Sequence, residues 1–256
     1  LNILATKRFK VIYILLILLV FFDKTAKAEF ILLGDPWPPW TSGSYGPAEG
    51  GIAVDFAARL FEKAGIKAVI YLHPWKRVLR MIKYGQADGI LMIQPSKENS
   101  DFIYFTEPIF TGKEVLCFNR VKTPDFKWNS FKDLQGFSIG TILGYNYGNF
   151  SSSAKELPLN LIESKNLMSN LKKLAMGRLD LVVCDYAALN AILNSTPELK
   201  KTVSVSEKPV HEWNYSIGIS RYSDLFNKRE LLDNLIIQMK ESGEIERFKI
   251  KYDITE

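Results

Sequence analysis

Histidine is nearly missing from this chain, with only His73 and His211 among its 256 residues. Neither lies in an HExxH or HxH context, so His-based metal hydrolysis finds no ligand set. GxSxG occurs once, as Gly136-Phe137-Ser138-Ile139-Gly140, but its serine falls inside the expected strand Phe137–Thr141 and not on the strand–turn–helix elbow of serine hydrolases. The phosphate cradles GxxxxGK[ST] and GxGxxG are absent too. Cysteine is as scarce: Cys117 in EVLCF and Cys184 in LVVCD both sit in apolar, strand-like runs. There a free Cys packs as a small hydrophobe; an exported chain can also pair such residues, and the local context favours the unpaired form. No internal repeat or low-complexity tract occurs, and no apolar run reaches the ~20 residues of a bilayer crossing. No catalytic residue, metal or cofactor is expected.

What is present starts with a leader. Lys7, Arg8 and Lys10 precede the apolar run Val11–Phe22, and Ala26-Lys27-Ala28 places small residues before a cleavage point between Ala28 and Glu29. That order is the pattern of a secretory signal peptide. The net charge of +5 comes largely from it. The leader holds five Lys/Arg and one Asp, so the remainder has 28 basic against 27 acidic residues, a net charge of +1. A nucleic-acid partner needs clustered cations, and none stands out. A monomer that is periplasmic or secreted is expected.

The remainder alternates strand and helix patterns. Phe30–Leu33, Lys67–Leu72 and Gly89–Ile93 read as strands; Val54–Ala64 and Trp75–Tyr84 read as helices, stopped by Gly65 and Gly85. The order βαβαβ predicts a largely parallel sheet with helices on its faces. The grammar repeats with strands at Glu114–Phe118, Phe137–Thr141, Leu159–Ile162, Leu179–Cys184, Thr202–Val205 and Tyr215–Ile219. Helices are expected over Asn166–Met176, Asp185–Asn194, Lys228–Glu241 and Glu244–Ile250. Two α/β units of this kind make two lobes with a cleft.

Ligands of open α/β sheets lie outside the carboxyl ends of strands. Four conspicuous segments fall there: GDPWPPWTS with Asp35, Trp37 and Trp40; QPSKE with Gln94 and Lys97; LGYNYG with Tyr145 and Asn146; and Asp185. The three prolines of the first segment fix φ and remove backbone donors, so its two tryptophans are either core plugs or a stiff platform for a ligand. Trp75 and Arg77, near the start of the second helix, can line the same rim or pack and solvate that helix.

These segments, in this order, resemble the family 3 extracellular solute-binding proteins. The likeness is carried by GDPWPPW, GGIAVDFAARLFEKAG, PWKRVLRMIKYGQADGIL, FTEPIF, DLQGFSIGTILGY, GRLDLVVCD and MKESGEIERFKIKY. The resemblance implies the two-lobed periplasmic-binding fold of type II, with lobe 1 formed by 29–114 plus 217–256 and lobe 2 by 115–216. Val115–Phe118 and Tyr215–Ile219 would be the hinge strands. It implies a small polar solute, an amino acid or related amine, captured in the interlobe cleft for the permease of an ABC importer or for a sensor receptor.

By the same resemblance Trp37, with Trp40 behind it, is the ligand-facing aromatic. Gly144, Tyr145 and Asn146 offer backbone amides and a hydroxyl at a helix start, and Asp185 holds a ligand ammonium group or caps its helix. Amino-acid receptors of this family usually carry an Arg before F-[ST]-x-P. Here QPSKENSDFIYFTEP has none, and Lys97 is its only cation. A cyclohexadienyl dehydratase-like enzyme is the alternative on this scaffold, with Asp35, Asp185 or Glu107 as its acid. A sensory module is the other.

Overall fold

In the computed structural model, which describes residues 29–254, the first βαβαβ run is built as its sequence pattern predicts. It comprises β1 (Phe30–Gly34), a two-residue strand β2 (Gly46–Pro47), α1 (Ile52–Lys63), β3 (Ala68–Leu72), α2 (Trp75–Lys83) and β4 (Gly89–Ile93). β1 pairs in parallel with both β3 and β4. Alternate side chains of a strand point to opposite faces, and neighbours in β1 accordingly feed different cores. Leu32 packs with Phe56 and Leu60 of α1, while Leu33 packs with Val78 and Ile82 of α2. The leader expected before Glu29 lies outside the described residues.

The chain continues through β5 (Ile103–Phe105) and the ten-residue β6 (Phe110–Asn119). It then runs through β7 (Ser138–Ile142), α3 (Asn149–Glu156), β8 (Asn160–Ser164), α4 (Leu167–Ala175) and β9 (Leu181–Asp185). α5 (Tyr186–Ser195), α6 (Pro197–Thr202), β10 (Val203–Val205) and β11 (His211–Ser220) follow, and α7 (Arg229–Glu241) and α8 (Glu244–Lys251) return to cover α1. The strand order is β2-β3-β1-β4-β11-β6-β9-β7-β8, with β7 parallel to β8 and β9. β11 spans the junction: His211–Tyr215 pairs with β6, and Ser216–Ser220 pairs with β4 and β5. The second half repeats the two-faced packing. Val115 and Val182 enter one core; Leu116 and Val183 enter the other.

Three expectations need correction. α3 is a helix where none was read, because NFSSSAKE has three consecutive serines, a residue type that favours caps over helix interiors. β6 and β11 each begin four residues earlier than their apolar cores suggested. Cys117 and Cys184 form a disulfide. Val115 faces Cys184 and Cys117 faces Val182 on neighbouring antiparallel strands, so both thiols lie on one face of the sheet, two rungs apart. Closing that loop restricts the unfolded chain, worth about 4 kcal/mol in the chain-entropy account.

Candidate functional site

The segment after β1 is held rigid by its own backbone. Trp37 and Thr41 exchange paired backbone hydrogen bonds of 3.0 Å, and the Thr41 hydroxyl donates to the Asp35 carbonyl. The loop also caps α1, because the Pro39 and Trp40 carbonyls accept from the Ile52 and Ala53 amides, both at 3.0 Å. Helix starts leave such amides without intrahelical partners. Only glycine fits the junction: at Gly51, φ is +115° and a Cβ would come within 2.4 Å of the Trp40 carbonyl oxygen.

This stiff loop forms one wall of a cavity of about 180 Å³ between the two halves. Asp35, Trp37, Trp75, Gln94, Tyr145, Asn146 and Asp185 all line it. The ends of β1, β4, β7 and β9 therefore converge as their sequence positions suggested. Trp37 packs edge-on against Tyr145 at 6.3 Å and Tyr215 at 5.4 Å, and Trp75 meets Tyr145 at 6.1 Å.

Trp40, Arg77 and Lys97 do not line this cavity. Trp40 is fully buried against Phe110 and Tyr215, and its Nε1 donates to Asp185 Oδ1 at 3.0 Å. Arg77 and Lys97 are exposed. Glu107 is also exposed, its amide bonded to Asp233, so it is no acid for a reaction in the cleft. Of the amides expected to meet an anion, that of Tyr145 is already bonded within the loop, as are those of Tyr147 and Gly148 beyond it. Their acceptors are Ile142 O, Ser151 Oγ and Asn146 Oδ1.

Two bridges join the walls. The Tyr145 hydroxyl donates to Asp35 Oδ2, and Trp40 holds Asp185. Asp185 also caps α5, with Oδ1 accepting from the Ala188 amide at 2.8 Å. Burial pushes Asp35 up to about 6 against the opposing pull of the Tyr145 hydroxyl. It pushes Asp185 up to about 6 as well, against its bonds from Trp40 and α5. The same burial holds Tyr145 and Tyr215 well above the usual phenol value.

Sequence reading missed Glu114, Trp213 and Tyr215. Glu114 lies in the middle of β6, in register with Asp185 on β9 and His211 on β11. It is 4% exposed, and burial pushes it up to about 8; the Trp213 indole beside it opposes this and the Asp185 charge, a smaller effect, reinforces it. Trp213 stands opposite Gly112 on β6 and packs its ring onto Gly148, where φ is +55° and a Cβ would sit 2.6 Å from the indole. The available signal was the alternation of His211, Trp213 and Tyr215 in HEWNY, which puts all three on one face. Among the described residues, no group of His, Cys, Asp and Glu has the arrangement of a metal site.

Comparison with known proteins sets this geometry in context. The family described as bacterial extracellular solute-binding proteins, family 3, matches residues 32–255. No curated protein sequence matches significantly. Among solved structures, the substrate-binding protein of an amino acid ABC transporter is 18% identical, over 88% of this chain and 99% of that one, with a TM-score of 0.71. ArtJ from Geobacillus stearothermophilus, an arginine-, lysine- and histidine-binding protein, is 19% identical over 90% and 96% of the two chains, with a TM-score of 0.74. A histidine kinase sensor domain with similarity to periplasmic binding proteins is 16% identical over 88% and 95%, with a TM-score of 0.75. At these identities the structures share the fold.

Proposed function

Since the match over residues 32–255 makes this chain a member of the family 3 bacterial extracellular solute-binding proteins, we propose that the cavity between its halves captures a small polar solute, an amino acid or related amine, for an ABC importer. The observation that carries this is the convergence of Asp35, Trp37, Gln94, Tyr145 and Asp185, from four separate strand ends, on one cavity. Its volume lies below the ~300–1,000 Å³ of pockets for drug-sized ligands, which suits a small solute. In this reading lobe 1 is 29–114 plus 217–256, lobe 2 is 115–216, and β6 and β11 carry the hinge. The ligand stabilises the closed arrangement by its greater affinity for it. The protein acts outside the cytoplasm, as a monomer, after cleavage between Ala28 and Glu29.

A thermal-shift screen over amino acids, amines, sugars and organic acids tests the reading, because a ligand bound to the native state alone raises the midpoint by mass action. Silence from every class would sink it. The likeness to the kinase sensor domain favours one second reading, delivery of the same signal to a receptor. Pull-down of the liganded protein with the periplasmic face of a permease, against that of a sensor kinase, separates the two.

A further inference from the structure

Neighbouring carboxyls on the strand side of the cavity have oxygens with no partner in the chain. Asp185 Oδ2 and Glu114 Oε2 are buried without a hydrogen bond, as is the hydroxyl of Tyr215. Their residues are 6%, 4% and 1% exposed, and all three line the cavity. Glu114 and Asp185 are register partners on antiparallel strands, which places their side chains side by side on one face. Buried polar atoms left unpartnered destabilise the fold, so an occupant that supplies donors at this point gains by satisfying them.

The lining also offers a carboxylate no cation. It holds Asp35, Glu98, Glu114 and Asp185 and includes no Lys, Arg or His. Lys97 and Arg77 are solvent-facing, and of the loop amides at Gly144, Tyr145 and Asn146 that of Tyr145 is occupied within the chain. Trp37, Trp213 and Tyr215 supply aromatic surface around the acids, and ring faces attract cations and pack methylenes.

We propose that the site takes an organic amine carrying no carboxylate: a protonated alkylamine or diamine. Its ammonium N–H groups bridge Glu114 and Asp185, and its methylenes lie against Trp37, Trp213 and Tyr215. This rests on reading the cavity as a solute site. A donor-free quaternary ammonium satisfies the charge and leaves the unpartnered oxygens as they are, so it binds less well. An α-amino acid brings an anion into a pocket of acids, where like charges repel.

Calorimetric titration of the whole protein with matched probes decides the matter: cadaverine against lysine, agmatine against arginine, and choline as the donor-free cation. Cadaverine or agmatine is expected to bind at least about tenfold more tightly than its amino acid, a difference of 1.4 kcal/mol or more. An amino acid binding as well as its decarboxylated partner, or choline matching the amines, overturns the proposal while leaving the solute site standing. So does a sugar or an organic acid as the only active class. Silence from all of them overturns the solute-site reading itself. Glu114→Gln preserves shape and removes charge; it and Asp185→Asn, each with a wild-type circular dichroism spectrum, should weaken amine binding at least about tenfold, the worth of a charged hydrogen bond. Unchanged affinity in both variants would also overturn it.

Discussion

The two walls of the cavity are built on opposite principles. On the side of β1, the backbone of the tryptophan loop is closed upon itself and onto the start of α1, and the Asp35 carboxyl takes the Tyr145 hydroxyl. On the side of β6, β9 and β11, the strands are regular, yet Glu114, Asp185, Trp213 and Tyr215 each bring a buried polar atom to the cavity without a partner. In the proposed reading, one wall is finished before a ligand arrives and the other is completed by it. Preorganisation lowers the ordering cost of binding, and unmet donors and acceptors supply its selectivity. The contrast divides labour within a single site.

The sharpest way to break that contrast is to damage the finished wall. Trp40 is fully buried, touches Phe110 and Tyr215, and holds Asp185. Trp40→Ala should cost about 5 kcal/mol, combining a large cavity with a lost partner for a buried carboxylate. Chemical denaturation reads this directly. A loss below ~1 kcal/mol would mean that the wall collapses into the space at little cost.

Trp37 is the next test, because it stands between the two walls and packs partly against both cores. Trp37→Ala should lower stability by about 1–2 kcal/mol, less than Trp40→Ala, since the side chain is only half-buried. Amine affinity should fall by at least about tenfold, the scale of one cation–π contact of ~2 kcal/mol when desolvated. A stability loss equal to that of Trp40→Ala, with affinity intact, would return Trp37 to the core.

The finished wall was also the legible one. GDPWPPW advertises itself by composition, and its position after an apolar strand locates it in an α/β sheet. The parallel units were readable for the same reason, through apolar period and glycine stops. The receptive wall was not, because its carriers lie inside strands rather than in loops. Glu114 is merely the first residue of the expected strand Glu114–Phe118; the structure extends β6 back to Phe110 and buries it. Trp213 falls before the expected strand Tyr215–Ile219 and Tyr215 at its first position, and their partners are set by register across β6, a non-local fact. The disulfide was hidden for the same cause: two cysteines 67 residues apart become neighbours only through strand pairing.

Protonation offers a finer probe of the receptive wall. Burial raises Glu114 to about 8, and Asp35 and Asp185 to about 6. A carboxyl whose folded value is raised contributes stability in full below its unfolded value and loses it as pH climbs through the folded one. Stability of the free protein should therefore decline between about pH 4 and pH 8, and Glu114→Gln should flatten the upper part of that decline. Amine binding should run the other way. An ammonium group requires ionised carboxylates, so binding near neutral pH displaces a proton from Glu114, and affinity rises toward about pH 8. The groups facing Glu114 are Asp185 on β9, Tyr147 after β7, and His211, Trp213 and Tyr215 on β11. Burial lowers His211, against a smaller opposing pull from the Glu212 charge, which works against a competing positive charge beside Glu114. Affinity that is flat from about pH 6 to pH 8 would separate Glu114 from the bound cation.

The smallest expected effect concerns the cations nearest the site in sequence. Arg77 stands in the first turn of α2, and Lys97 follows β4; both are the obvious candidates to receive a ligand carboxylate. Both side chains are exposed, and neither residue lines the cavity. Charges in high-dielectric surroundings contribute little to a contact they do not make. Arg77→Ala and Lys97→Ala should leave stability within about 0.5 kcal/mol of the parent, the range of ordinary surface changes, and amine affinity unchanged within error in calorimetric titration. Should either variant weaken binding by about tenfold, which is 1.4 kcal/mol, a basic residue would have to reach the ligand on closure. The cavity would then have an anionic subsite, and an amino acid would regain its claim as the solute.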